Sequence, residues 1–109
     1  AFRNRATIGM LRLAAAQIRV TGNRADNIKR ASALIDAAVK EGASFVALPE
    51  CFVGSYGVQH FAKWQEAVPT AALQSADGSE SGAAMMADAA KRHEATVTGG
   101  VIETEAGGE

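Results

Sequence analysis

The sequence predicts an α/β fold built on parallel strands. Three observations lead to it: an apolar stretch at Leu11–Ile18, a helix-periodic stretch after Asn23 that stops at Gly42, and a second apolar run, Phe45–Leu48, closed by Pro49. Strand, helix and strand with short connections make a βαβ unit. Its two strands run parallel, because the helix returns the chain to the edge from which it started.

In the first strand Leu11, Leu13, Ala15 and Gln17 alternate with Arg12, Ala14, Ala16 and Ile18, so neither face is clearly polar. Near-continuous apolar character is that of a strand covered on both sides. Thr21-Gly22-Asn23 supplies a turn, and Asn23 is the expected N-cap, with Asp26 placed to complement the free amides of the first helical turn. Ile28, Ala31, Ile35, Ala38 and Val39 form one apolar stripe with Leu34 at its margin, while Lys29, Arg30, Asp36 and Lys40 point elsewhere. The helix runs to about Glu41, and Gly42 is the C′ residue that ends it. Pro49 lacks a ladder donor and closes the second strand.

Glu50–Gly57 reads as a loop, Phe61–Ala67 as a short helical piece stopped by Val68-Pro69, and Thr70–Ser81 as loop. A second long helix is expected over Gly82–His93. Asp77 and Glu80 precede it and Lys91, Arg92 and His93 close it, as the macrodipole favours; Ala83, Met86, Ala87 and Ala90 make its small-residue packing stripe. Ala95–Glu103 reads as a third strand interrupted by Gly99-Gly100, a pair that fits either a bulge or a close backbone approach to a ligand. Gly107-Gly108 after that strand signals a hairpin whose returning strand does not follow. Two long helices cover one face of such a sheet, and its other apolar face needs a cover too. The expectation is that polypeptide beyond these 109 residues supplies it.

Composition narrows the function classes. With 11 Lys+Arg against 12 Asp+Glu the net charge is −1, which argues against a nucleic-acid binder working by phosphate neutralisation. No apolar run approaches the roughly 18 residues of a membrane span, so no membrane partner is expected. The single cysteine forms no internal disulfide and weakly favours a reducing compartment. Residues 1–10 carry arginine and no acid and read as a leader, either disordered or the remnant of a mitochondrial transit segment; cytoplasm and mitochondrion are the expected locations.

Few residues carry chemistry. Glu50 lies just past the carboxyl end of a strand, where ligands of open α/β sheets sit. There it is either a desolvated carboxylate with a raised pKa, suited to proton transfer, or a solvated or capping side chain. Cys51 has no base beside it, and a neighbouring carboxylate opposes thiolate formation, so it reads as a small buried hydrophobe. His60 and His93 do not share a metal-ligand spacing with Cys51, and neither a G-x-G-x-x-G nor a P-loop is present; no metal or cofactor is expected. Tyr56 and Trp64 read as loop or core packing.

Taken in order, Leu13-Ala14-Ala15-Ala16-Gln17-Ile18, Asp26-Asn27, Gly42-Ala43, Leu48-Pro49-Glu50-Cys51-Phe52, Ser55-Tyr56-Gly57 and Thr98-Gly99-Gly100 resemble the opening of the nitrilase superfamily of carbon–nitrogen hydrolases, most of all its omega-amidase branch. The likeness runs from about Leu11 to Glu109. It implies that residues 11–109 are the N-terminal, incomplete portion of an α-β-β-α sandwich that hydrolyses a non-peptide C–N bond through a Glu–Lys–Cys triad. Of that triad only Glu50 has a counterpart here, as general base; the lysine and the nucleophilic cysteine are expected beyond residue 109. Cys51 matches the non-catalytic cysteine beside the glutamate, and Tyr56 falls in a loop that lines the substrate pocket. Val53-Gly54-Ser55 departs from the asparagine and serine–proline common in omega-amidases, which bears on the exact substrate.

The resemblance also implies a small-molecule amide substrate and a homo-oligomer or a companion chain completing the domain. Two alternatives stand beside the amidase. One is a truncated, non-catalytic nitrilase-like piece acting as a structural or interaction element, and the other an unrelated βαβ binding module.

Overall fold

The computed structural model describes residues 11–68 and 81–104. The leader, Asp77 and Glu80 ahead of the second long helix, and the Gly107-Gly108 turn lie outside the described residues.

Three short strands, β1 (Leu13–Ala15), β2 (Phe45–Ala47) and β3 (Thr96–Thr98), form one sheet in the order β1-β2-β3, and both pairs are parallel. The predicted βαβ unit is therefore present, with β2 at the centre. β1 and β3 are shorter than the apolar patterns suggested. Beyond Ala15 the ladder continues only through the Ala16 amide, which donates to the Ala47 carbonyl at 2.8 Å. Beyond Thr98 the two glycines carry the chain off the ladder toward the loop that follows β2.

Helix α1 (Arg24–Lys40) connects β1 to β2. Asn23 caps it as expected, its side-chain oxygen accepting from the Asp26 amide at 3.0 Å. Gly42 stands one residue past the cap with φ +103°, a left-handed backbone that lets its amide return to the Val39 carbonyl at 2.9 Å. Ile28, Ala31 and Ile35 are buried, whereas Lys29, Arg30, Asp36 and Lys40 are exposed, as the stripe required. Burial of each isoleucine is worth about 2 kcal/mol.

The segment after β2 is more compact than a plain loop. A 3-10 turn at Val58–His60 leads into α2 (Phe61–Trp64), a single turn that ends three residues earlier than the expected Ala67. Its end is set by Glu66, whose backbone bridges to the chain after β3: its amide donates to the Ile102 carbonyl and its carbonyl accepts from the Thr104 amide, both at 2.8 Å. Those two bonds need extended backbone, which helical geometry at Gln65–Ala67 would deny.

Helix α3 (Gly82–His93) matches the expected span. Its packing face does not match in full. Gly82, Ala83, Ala84, Met85 and Ala89 are buried, while Met86, Ala87 and Ala90 are only partly so. Alanine occurs on nearly every side of this helix, so composition alone does not choose among faces. Met85 and Ala89 join the core, which also holds Ile28, Ile35, Val46, Leu48, Phe52, Val53 and Trp64.

This core lies between the two long helices and one face of the sheet. Val46, in register with Ala14 and Val97, points into it and is fully buried. The opposite face carries Leu13, Phe45 and Thr96 in one row and Ala15, Ala47 and Thr98 in the next, because successive strand side chains alternate. Leu13 is 67% exposed there. Cover on both sides, suggested by β1 alone, is absent among the described residues; cover on one side, expected from counting helices, is what is seen.

Candidate functional site

Pro49, Glu50, Cys51 and Phe52 follow directly on the central strand. The Leu48 amide donates to the Thr98 carbonyl at 2.7 Å, so the ladder extends one residue past β2 before the chain turns. At the turn the Cys51 amide donates to the Gly100 carbonyl at 3.1 Å, and the Gly100 amide donates to the Pro49 carbonyl at 3.5 Å. Cys51 takes φ +57°, a left-handed conformation uncommon for a residue with a side chain. Its side chain is 7% exposed and Phe52 and Val53 beside it are buried. The turn is thus anchored on its inner side by apolar packing and on its outer side by Gly100.

Glu50 is at the expected place, past the carboxyl end of a parallel strand. Its side chain is exposed, and no described residue bonds to its carboxylate. Of the two readings the sequence left open, the described residues give the solvated one. Tyr56, on the same loop, is 69% exposed, and its ring meets Phe61 edge-on at 6.3 Å between centroids. Glu50 and Tyr56 therefore share a loop and are both exposed, without a bond between them.

Cys51 behaves as the small buried hydrophobe expected of it. Burial pushes its thiol above the ordinary value, and the charge of Glu50 adds to the shift in the same direction. Both effects oppose the thiolate a nucleophile needs. His93 meets Asp36 across the helix pair, Nε2 to Oδ1 at 2.6 Å, rather than any partner near Cys51. That hydrogen bond is the largest cause holding the Asp36 carboxyl below the usual aspartate value, with the Arg92 and His93 charges adding to it against a partial offset from burial. Trp64 is buried in the core.

Two buried polar side chains were not singled out from the sequence as anchors. Asn27 is fully buried in the first turns of α1. Its amide nitrogen donates to the Thr21 carbonyl at 2.7 Å and the Val53 carbonyl at 3.0 Å, while its oxygen accepts from the Thr21 amide and hydroxyl at 2.8 and 3.2 Å. That fills the bonding capacity of the side chain. The available signal was a polar residue four positions before Ala31, on the apolar stripe.

Glu66 is the second. One carboxylate oxygen accepts from Arg24 at 2.9 Å and the Gly82 amide at 3.0 Å; the other accepts from the Ser81 hydroxyl and the Ala83 amide, both at 2.9 Å. A carboxylate at the start of α3 is favoured by the free amides and the dipole there. Distance in sequence hid this cap, which comes from 16 residues before Gly82. Arg24 also donates to the Trp64 carbonyl, tying α2 to the start of α1.

Comparison with known proteins agrees with this geometry. The profile of the family described as carbon-nitrogen hydrolase matches residues 12–109. Among similar proteins, the omega-amidase NIT2 of Danio rerio is 35% identical over 97 residues, covering 89% of this chain and 31% of the relative. The omega-amidase NIT2 of Mus musculus is 41% identical over 63 residues, or 58% of this chain and 23% of the relative. For that of Bos taurus the figures are 43% over 58 residues, 53% and 21%. The chain thus spans between about a fifth and a third of the length of these relatives. The parallel sheet, its helices and the matched profile agree on one assignment: the chain belongs to the carbon–nitrogen hydrolase family.

Proposed function

We propose that this chain is the amino-terminal part of an omega-amidase-like enzyme that releases ammonia from a small carboxylic amide, with Glu50 as its general base. The observation that carries the proposal is the position of Glu50 immediately after the central strand of a parallel sheet, on a turn held by Gly100 and buried Phe52. The family membership and the similarity to omega-amidases support the reaction class.

In this scheme a cysteine from the remainder of the domain gives its thiol proton to the Glu50 carboxylate and attacks the amide carbonyl. A lysine from the same remainder stabilises the oxyanion. Glu50 then passes the proton to the leaving nitrogen, ammonia departs, and a thioester remains. Water, deprotonated by Glu50, attacks the thioester; the acid leaves and the thiol regains its proton. Each proton taken by Glu50 is returned, so the carboxylate ends as it began. Tyr56 lines the substrate side of the loop.

Ammonia release tests the reaction class. The full-length protein carrying this segment is expected to liberate ammonia from small dicarboxylic acid monoamides, and the isolated 109-residue chain to liberate none. Absence of release by the full-length protein across a panel of such amides argues for the second reading, a non-catalytic structural element. That reading draws on the solvent-facing Glu50 and the open sheet face with Leu13 exposed.

A further inference from the structure

Two adjacent glycines follow β3, and their surroundings differ. A Cβ built on Gly99 would approach side chains: Met86 Sδ at 2.9 Å, Leu48 Cβ at 3.1 Å and Phe52 Cε1 at 3.1 Å. A Cβ built on Gly100 would approach Glu50 and its neighbour: Glu50 Cα at 3.0 Å, Cys51 N at 3.3 Å and Glu50 Cγ at 3.3 Å. Gly100 is not among the residues with positive φ, so its backbone does not itself call for glycine. What calls for it is space against Glu50.

We infer that Gly100 is a positioning residue for Glu50, fixing by close backbone approach where the carboxylate leaves the end of β2; this rests on the general-base role proposed above. The contact acts at two levels. The amide and carbonyl of Gly100 bond to Cys51 and Pro49, one residue to either side of Glu50, and so set the path of its backbone. The empty Cβ position lies 3.3 Å from Glu50 Cγ, so a side chain at residue 100 would press on the Glu50 side chain as well as on its backbone. The left-handed Cys51 is the other half of the device, because it turns the chain inward while Glu50 stays at the rim. A side chain at residue 100 meets backbone, which cannot yield by changing rotamer. The displacement therefore passes to Glu50.

The test is a double-mutant cycle in the full-length protein, read as ammonia release with kcat and KM separated and with Tm measured for each variant. Gly100→Ala is expected to lower kcat by about 10²-fold, the scale of an ångström-sized misplacement of a reacting group, with KM near wild type. On a Glu50→Gln background the same substitution is expected to cost nothing further, because the group it misplaces is gone. A packing role alone would cost the same on both backgrounds. Impaired Glu50→Gln combined with a fully active Gly100→Ala, or with a Gly100→Ala loss that persists undiminished on the Glu50→Gln background, overturns the role of Gly100 alone. Wild-type turnover by folded Glu50→Gln overturns the general-base reading and this inference with it. Should Gly100→Ala be recovered unfolded, Cys51→Gly asks the question from the opposite side, since it keeps the left-handed backbone accessible but frees it. A kcat loss absent on the Glu50→Gln background supports the inference, and an unchanged kcat overturns it.

Discussion

Arg24 and Glu66, 42 residues apart in the chain, close an ion pair at 2.9 Å on the edge of the core, and the same carboxylate caps α3. Both side chains are largely buried, at 15% and 7% exposure. Removing one partner of a buried, hydrogen-bonded pair typically costs about 3–5 kcal/mol. Glu66→Ala is expected to lose stability on that scale, because two amides of α3 lose their acceptor as well. Urea unfolding of the variant checks it, and a midpoint equal to wild type contradicts it.

Asn27 joins the turn before α1 to the loop after β2, through Thr21 and Val53. Asn27→Asp keeps the shape but replaces a donor by an acceptor, so the Thr21 and Val53 carbonyls face a carboxylate. Each buried group left unsatisfied costs about 1–3 kcal/mol. The expected result is a loss above that of a single orphaned group, with faster hydrogen exchange in the loop following β2. Unchanged exchange at Val53 and Gly54 contradicts the link.

Asp36, His93 and Arg92 tie α1 to α3 at the surface. The folded-state pKa of Asp36 lies below its ordinary value of 3.8, chiefly through the His93 hydrogen bond. A depressed carboxyl contributes stability above its unfolded pKa and loses it as pH falls through the folded one. Stability should therefore fall as pH drops below about 3.8, and Asp36→Asn should flatten that part of the profile by losing the contribution at neutral pH, where it is fully present, and converging with wild type at the acid end. Asp36 and Arg92 are nearly half exposed, so the effect is small. Unfolding midpoints of both proteins across the acid range check it, and identical acid limbs contradict it.

Cys51 offers a chemical readout of the loop. Its thiol is buried and shifted upward, so alkylation by iodoacetamide at pH 8 should be slow in the folded protein and rapid in denaturant. Fast labelling of the native state would contradict the packing of Cys51, Phe52 and Val53 into the core.

Much of this architecture was legible in the residues themselves. Asn23, the Ile28–Ile35 stripe and Gly42 define α1 because cap, period and stop agree, and Phe45–Leu48 before Pro49 defines β2 for the same reason. The place of Glu50 after that strand was legible too, while its role as general base came only from the family resemblance. Less was legible where contacts cross long stretches of chain. The face of α3 was ambiguous because alanine offers no contrast, and the third strand was overdrawn because Val101 and Ile102 are apolar without being in the ladder. Glu66, Asn27 and Gly100 act through backbone groups far along the sequence, and residue type alone does not announce such partners. For Glu50 the sequence left a desolvated and a solvated reading both open, because position after a strand says where a carboxylate stands, not what stands over it; the solvated one is seen.

The role of Glu50 is tested most directly by Glu50→Gln in the full-length protein, assayed for ammonia release alongside thermal unfolding. General acid–base assistance is worth about 10²–10⁴ in rate, so turnover should fall at least on that scale while Tm stays at the wild-type value. A folded Glu50→Gln protein releasing ammonia as fast as wild type would contradict the account.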